Sequence, residues 1–131
     1  MPPRRRTDPA AGAAATARAL AALDAGAEPA TDDLRTATRH LLELLAERSP
    51  GRSVEVRVPP YGAVQAIAGP RHTRGTPPNV VETDPRTWLL LAAGQRDFAS
   101  AAEDGTVSAS GERSDLGAYL PLLPQALPSE A

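Results

Sequence analysis

The feature that most constrains the fold is residues 79–123, where acidic caps, prolines and glycines divide the chain into short segments. β-Branched residues predict a strand over 79–82. Asp84 and Pro85 predict the start of a helix, because an Asp side chain accepts hydrogen bonds from free backbone N–H groups and proline suits the first helical position. Gly94 is expected to end that helix in the left-handed conformation.

The rest of residues 79–123 shows the same pattern of capping residues, glycines and prolines. The pattern predicts a second short helix over about 97–103 and a strand over 106–110. A last helix is expected to begin at a cap on Ser114 or Asp115. Pro121 should kink or end it, because proline removes a backbone donor. The predicted order is therefore strand, helix, helix, strand, helix.

The first half of the chain predicts two further helices. Residues 8–24 begin with Asp-Pro, are rich in Ala and have a thin apolar face. Residues 32–48 carry a continuous leucine stripe, with Thr31 or Asp32 expected as the cap. His40 lies on this second helix, and we interpret it as a surface or boundary residue.

Two strands are predicted after these helices. Residues 52–58 alternate between valine and polar side chains, which is typical of a strand with one buried face. A Pro-Pro-Tyr-Gly turn follows, so residues 63–68 are expected to return as the antiparallel partner. Val64 and Ile67 would lie on opposite faces of a regular strand, which predicts a bulge or a two-sided strand. The elements together indicate an α/β (α+β) fold, with a mixed sheet of about five strands and helices packed on one face.

The length of 131 residues supports one domain. Residues 1–7 are expected to form a disordered arm, residues 8–123 the domain, and residues 124–131 a loose tail. No apolar run is long enough to span a bilayer, and no Leu-rich segment follows the basic N-terminus. We therefore expect a cytoplasmic protein with no signal peptide and no stable membrane insertion.

The composition excludes several functional classes. The formal net charge is −2, and the chain lacks the clustered basic face of a nucleic-acid binder. The absence of cysteine excludes disulfides and thiol catalysis. Besides His40 the chain has His72, but neither a Gly-x-Ser-x-Gly elbow nor a His-x-x-x-His spacing accompanies them. The sequence therefore predicts no catalytic residues, no metal site and no cofactor.

The order of elements in residues 79–123, together with the stretch GPRHTRGTPPNVVE at residues 69–82, resembles one family. It is the bacterial sterol-carrier-protein-like family, the short bacterial form of the type 2 sterol carrier fold. The resemblance extends from about Arg52 to Leu123. It implies a cavity between the sheet and the helices that takes fatty acyl chains or sterols.

One loop concentrates polar side chains that suit an anion. Arg71, His72, Thr73 and Arg74 follow one another, and a guanidinium offers a planar fork of donors that fits a carboxylate or phosphate. We interpret these four residues as a site for the head group of a ligand. The alternative is structural: Arg71 and Arg74 would pair with acidic residues of the domain.

A second candidate site consists of apolar side chains on the late elements. The ordinary interpretation of such a set is core. The family resemblance raises the other interpretation, in which some of the set line a ligand cavity. The set comprises Trp88, Leu91, Phe98, Tyr119, Leu120 and Leu123.

The leading functional hypothesis is a non-enzymatic carrier or binder of an apolar ligand with an acidic head, such as a fatty acid, an acyl conjugate or a sterol-like lipid. The alternative is an accessory module that binds a protein partner and holds no ligand. A third hypothesis is an enzyme that depends on a thiol cofactor, which no nucleophile or base in the sequence supports.

Overall fold

The computed structural model describes residues 6–69 and 79–124. The helices are α1 (Pro9–Asp24), α2 (Thr31–Arg48), α3 (Pro85–Ala92) and α4 (Phe98–Glu103). The strands are β1 (Val54–Val58), β2 (Gly62–Ala66), β3 (Val80–Glu82) and β4 (Ser108–Ser110). Among the described residues no helix is both long and apolar enough to cross a bilayer.

The strands form one mixed sheet in the order β2-β1-β3-β4. β1 and β2 form an antiparallel hairpin, β1 and β3 run parallel, and β4 pairs antiparallel with β3. This confirms the mixed α+β class and the two N-terminal helices. The strand count is corrected, because the described part of the chain forms four strands where about five were predicted.

Acidic N-caps start three of the helices, two of them followed by proline. The side chain of Asp8 accepts from Ala11 N, and that of Asp84 accepts from Thr87 N at 2.9 Å. Asp97 caps α4 in the same way through Ser100 N. The start of α2 differs from the prediction, because Ala30 occupies the N-cap and makes no side-chain bond. The carboxylates of Asp32 and Asp33 in its first turn instead interact favourably with the positive end of the helix dipole.

The predicted last helix is wrong. The chain forms only a single 3-10 turn over Gly117–Tyr119. The carboxylate of Asp115 accepts from Gly117 N at 2.8 Å, a local bond that competes with helix formation. Leu120 is extended (φ −118°, ψ 150°), the conformation favoured in front of Pro121. Two local effects therefore override the apolar spacing that had suggested a helix.

One apolar layer lies between the helices and a single face of the sheet. The inward-pointing valines of β1 are fully buried, as their alternation predicted. α2 contributes the largest group of leucines, and it contacts α1, β2 and α3. The fully buried members on β1 and α2 are Val54, Val56, Val58, Ala37, Leu41, Leu42 and Leu45.

Two residues lie differently from their sequence interpretation. His40 is buried, at 7% exposure, because α1 approaches α2 beside its ring at Gly12. A Cβ atom on Gly12 would lie only 2.4 Å from His40 Cγ. Ile67 lies beyond the end of β2, and a φ of +71° turns its side chain into the core. This turn replaces the predicted bulge or two-sided strand.

The predicted domain boundaries stay predictions. Of the proposed arm, the structure describes only Arg6 and Thr7, whose backbone N–H groups donate to the carboxylate of Glu43. Most of the proposed tail lies outside the described residues.

Candidate functional site

The predicted anion loop falls outside the described part of the chain. Arg71, His72, Thr73 and Arg74 lie between the described ranges 6–69 and 79–124, so their assignment stays a prediction. The structure does describe the residues that lead into and out of this loop.

Asn79 anchors the chain where it leaves the loop. Its side chain is 3% exposed and donates through Nδ2 to the carbonyl of Ser53 at 2.7 Å. Its Oδ1 accepts from Arg113 N at 2.7 Å, and its own carbonyl accepts from Glu55 N at 3.0 Å. Asn79 therefore ties the start of β3 to the start of β1 and to the segment after β4.

Ile67 fixes the chain where it enters the loop. A positive φ is strained for a β-branched residue, and three hydrogen bonds hold it in place. Its N–H donates to Ser49 O at 2.6 Å, and its carbonyl accepts from both the N–H and the hydroxyl of Ser53. The described residues on either side of the predicted loop, Ile67 and Asn79, are thus both held by hydrogen bonds.

Arg113 is a cation close to Gly69, where the chain enters the predicted loop, and the sequence analysis did not identify it. Its Nη1 lies 3.2 Å from the position that a Cβ atom on Gly69 would occupy. The two residues are distant in sequence, so only the pairing of β4 with β3 reveals their proximity.

The structure brings three members of the predicted apolar set into the common core. Trp88, Leu91 and Phe98 are 1%, 2% and 5% exposed. The indole N–H of Trp88 donates to the carbonyl of Thr38 at 3.3 Å, which attaches α3 to α2. The hydroxyl of Thr38 is itself fully buried and makes no hydrogen bond within the described residues.

The other three members lie on the C-terminal segment, residues 111–124. Leu120 and Leu123 are partly buried against the core, whereas Tyr119 is 37% exposed. The segment buries Leu116 and Leu122 completely. The predicted helical face had missed Leu122, because an extended chain points different residues inward.

Hydrogen bonds attach the end of this C-terminal segment to α3 and α2. The N–H groups of Leu122 and Leu123 donate to the carbonyl of Ala92, at 2.9 and 3.1 Å. The guanidinium of Arg48 donates to the carbonyl of Leu122. The C-terminal segment, which is neither a strand nor an α-helix, therefore forms one wall of the core next to α3.

A cleft of about 590 Å³ lies elsewhere, between α2, the β1–β2 hairpin and residues Arg6 and Thr7. None of the six predicted cavity residues lines it. Its lining from α2 and the hairpin is Arg39, Leu42, Glu43, Ala46, Glu47, Tyr61, Gly62, Ala63 and Val64.

Metal ligation is not favoured by the described residues, which contain no group of three or more His, Asp or Glu side chains placed to hold an ion. The ion pairs of the described residues lie on the surface. One of these ion pairs lies on β1, where Arg57 Nε donates to Glu55 Oε1 at 2.6 Å. This hydrogen bond raises the pKa of the Arg57 guanidinium.

Comparison with known families finds one match. Residues 30–122 match the model of a family described as bacterial SCP ortholog, where SCP denotes sterol carrier protein. The match begins at the N-cap of α2 and ends at Leu122, so it includes the whole sheet and leaves α1 outside. A search of curated proteins finds no significant match.

Proposed function

Because the chain belongs to the bacterial sterol-carrier-protein-like family, we propose that it is a non-enzymatic, cytoplasmic binder or carrier of an apolar ligand with an acidic head. The ligand class comprises fatty acids, acyl conjugates and sterol-like lipids. Family membership supports a carrier role in general, and the preference for an acidic head is our own proposal.

The observation that carries the proposal is the structure of the C-terminal segment, which covers one side of the apolar core. Residues 111–124 lie against the core with a single 3-10 turn and the short strand β4 before them, and the N–H groups of Leu122 and Leu123 donate to the carbonyl of Ala92. A segment outside the helices and strands opens at lower free-energy cost than a helix or a central strand. An acyl chain would then replace Leu120 and Leu123 against Trp88, Leu91 and Phe98, with Tyr119 at the rim.

We place the acidic head at Arg71, His72, Thr73 and Arg74. The hydrogen bonds that hold Ile67 and Asn79, on either side of these residues, support this placement, since fixed flanking residues lower the entropy lost on binding. The guanidinium of Arg113 beside Gly69 adds positive charge at the base of the loop.

The experiment compares palmitate with its methyl ester on wild type and on Arg74→Ala. We expect the acid to bind the variant about ten- to a hundredfold more weakly, because a charge-assisted hydrogen bond contributes roughly 1.5–3 kcal/mol. The ester should bind both proteins alike. Arg35→Ala is the matched control, because Arg35 pairs with Asp32 on α2.

Two outcomes would contradict the head-group assignment. One is an ester that binds wild type as tightly as the acid does. The other is a variant that loses thermal stability and keeps its affinity, as expected if Arg74 pairs with an acidic residue of the domain.

The accessory protein-interaction module remains a second candidate, favoured by the outer face of the sheet, the face against which none of the described helices packs. Every residue of β4 is exposed. On this outer face Arg57 pairs with Glu55, while Gln65 and Glu82 are exposed. Native mass spectrometry of the purified protein separates the candidates, because a carrier is expected to retain lipid and a partner-binding module is not.

A further inference from the structure

The chain before α2 runs antiparallel to it, as three contacts along the helix show. In each contact a residue nearer the N-terminus meets a residue further along α2. The contact pairs, in order along α2, are Arg18–Asp33, Gly12–His40 and Thr7–Glu43. Continued past Thr7, this register leads residues 1–5 toward the C-terminal end of α2.

The carboxylate of Glu43 fixes the point from which residues 1–5 extend. Its two oxygens accept from Arg6 N at 3.2 Å and from Thr7 N at 3.3 Å, and Oε1 also accepts from the hydroxyl of Thr7. Arg6 and Thr7 both line the cleft between α2 and the β1–β2 hairpin. Residues 1–5 therefore join the described chain at the wall of this cleft.

Glu47 is the acidic residue that comes next along this register. It lines the cleft four residues beyond Glu43, on the same face of α2 and about 6 Å further along the helix axis. Two residues of extended chain span roughly 7 Å. Arg5 and Arg4, the two residues before Arg6, are thus within reach of Glu47.

The charges of the cleft make this attraction local. Among the described lining residues Arg6 and Arg39 are cationic and Glu43 and Glu47 anionic, and neither carboxylate is without a partner. Arg39 lies on the other side of Glu43 from Glu47, and its Nε donates to the carbonyl of Tyr61 at 2.9 Å. The cleft as a whole therefore has no net charge to attract a cation, and a basic segment is favoured only beside Glu47.

We propose that residues 1–5 dock in this cleft as an intramolecular strap, with Arg4 or Arg5 paired to Glu47. The two prolines of the strap cover the apolar lining at Ala46. Because the strap is tethered at the cleft wall, its effective concentration there is roughly millimolar or higher, so weak contacts are enough to hold it. The strap closes one side of the cleft, whether or not the chain carries a ligand elsewhere.

A spin label on the strap tests this contact. The chain contains no cysteine, so Pro2→Cys gives a single attachment point. In the ¹⁵N spectrum of the full labelled chain at low salt, we expect broadening of the amides of Ala46, Glu47 and Val64. The amides of α4, which contributes no residue to the cleft, should keep their intensities. About 1 M NaCl should reduce the broadening, because it shortens the screening length to about 3 Å.

Glu47→Gln tests the pairing in the same labelled chain. It should lower the ratio of docked to undocked strap by up to about fivefold, the upper limit for an exposed ion pair. Replacing both Arg4 and Arg5 with Ser should have the same effect, with no further loss when Glu47→Gln is added. Glu103→Gln, at an exposed position on α4, is the matched control and should leave the broadening unchanged.

Three results would overturn the proposal. The first is a cleft whose amides keep their intensities at low salt, as expected for the disordered arm that the sequence predicts. The second is broadening that neither salt nor Glu47→Gln reduces. The third is equal broadening of an unlabelled ¹⁵N chain mixed with spin-labelled ¹⁴N chain, which would place the strap on a second copy.

Discussion

Replacing Trp88 with Ala is expected to lower the free energy of unfolding by about 3–5 kcal/mol, the usual loss when a large buried aromatic is truncated. Trp88 is 1% exposed and belongs to the same core as the valines of β1. Its indole N–H donates to the carbonyl of Thr38, so the substitution also removes a buried bond between α3 and α2. Chemical denaturation followed by far-UV circular dichroism measures the loss.

Tyr119→Ala is the control for this prediction. Tyr119 is 37% exposed, so its truncation should cost less than about 1 kcal/mol. A loss under 1 kcal/mol for Trp88→Ala would contradict the described core. Red-shifted Trp fluorescence that does not change on unfolding would do so as well.

The second large effect is expected from Gly51→Ala, at the turn between α2 and β1. Gly51 has a φ of +154°, which L-residues rarely adopt, and a Cβ atom there would lie 2.1 Å from the carbonyl oxygen of Ile67. The neighbour is backbone held by hydrogen bonds to Ser49 and Ser53, so no side chain can move aside. Strain and overlap together should cost about 3 kcal/mol or more.

Gly26→Ala separates the two contributions. Gly26 also has a positive φ, +72°, but nothing lies within 4 Å of the position of its Cβ atom. Its replacement should cost only the conformational strain, roughly 1–2 kcal/mol. Equal losses for the two variants would show that the close approach to Ile67 contributes nothing, contrary to the described geometry.

The elements most accurately predicted from sequence are those with a local chemical signal. Asp84 followed by Pro85 placed the start of α3 to the residue, and Gly94 ends it with a φ of +76°. The alternation of β1 placed Val54, Val56 and Val58 on the buried face because successive strand residues point to opposite sides. Such signals depend on neighbours in the chain and need no tertiary information.

The features that the sequence did not predict depend on competition between local hydrogen bonds and helix formation, or on contacts between residues far apart in the chain. Leu116, Leu120 and Leu123 have a spacing that suits a helix, but the bond from Gly117 N to Asp115 and the constraint before Pro121 produce an irregular segment. The cleft lies where Gly62 pairs with Val58 and approaches Leu42, a relation that follows from register and packing.

The candidate site was predictable only in part. A sequence shows that Trp88, Leu91 and Phe98 are apolar, but ordinary core residues and cavity-lining residues share this property. All three are buried, as both interpretations require. Arg113 carried no sequence signal, because it reaches Gly69 only in the folded chain.

The most direct test of the central claim is a titration of wild type with saturated fatty acids of increasing length, followed by the fluorescence of Trp88, the single tryptophan. A carrier that buries the acyl chain should give a saturable change. Two added methylenes should tighten binding by up to roughly tenfold, since each buried CH₂ contributes about 0.8 kcal/mol at most. Affinity that does not depend on chain length, or fluorescence that never saturates, would contradict the carrier function.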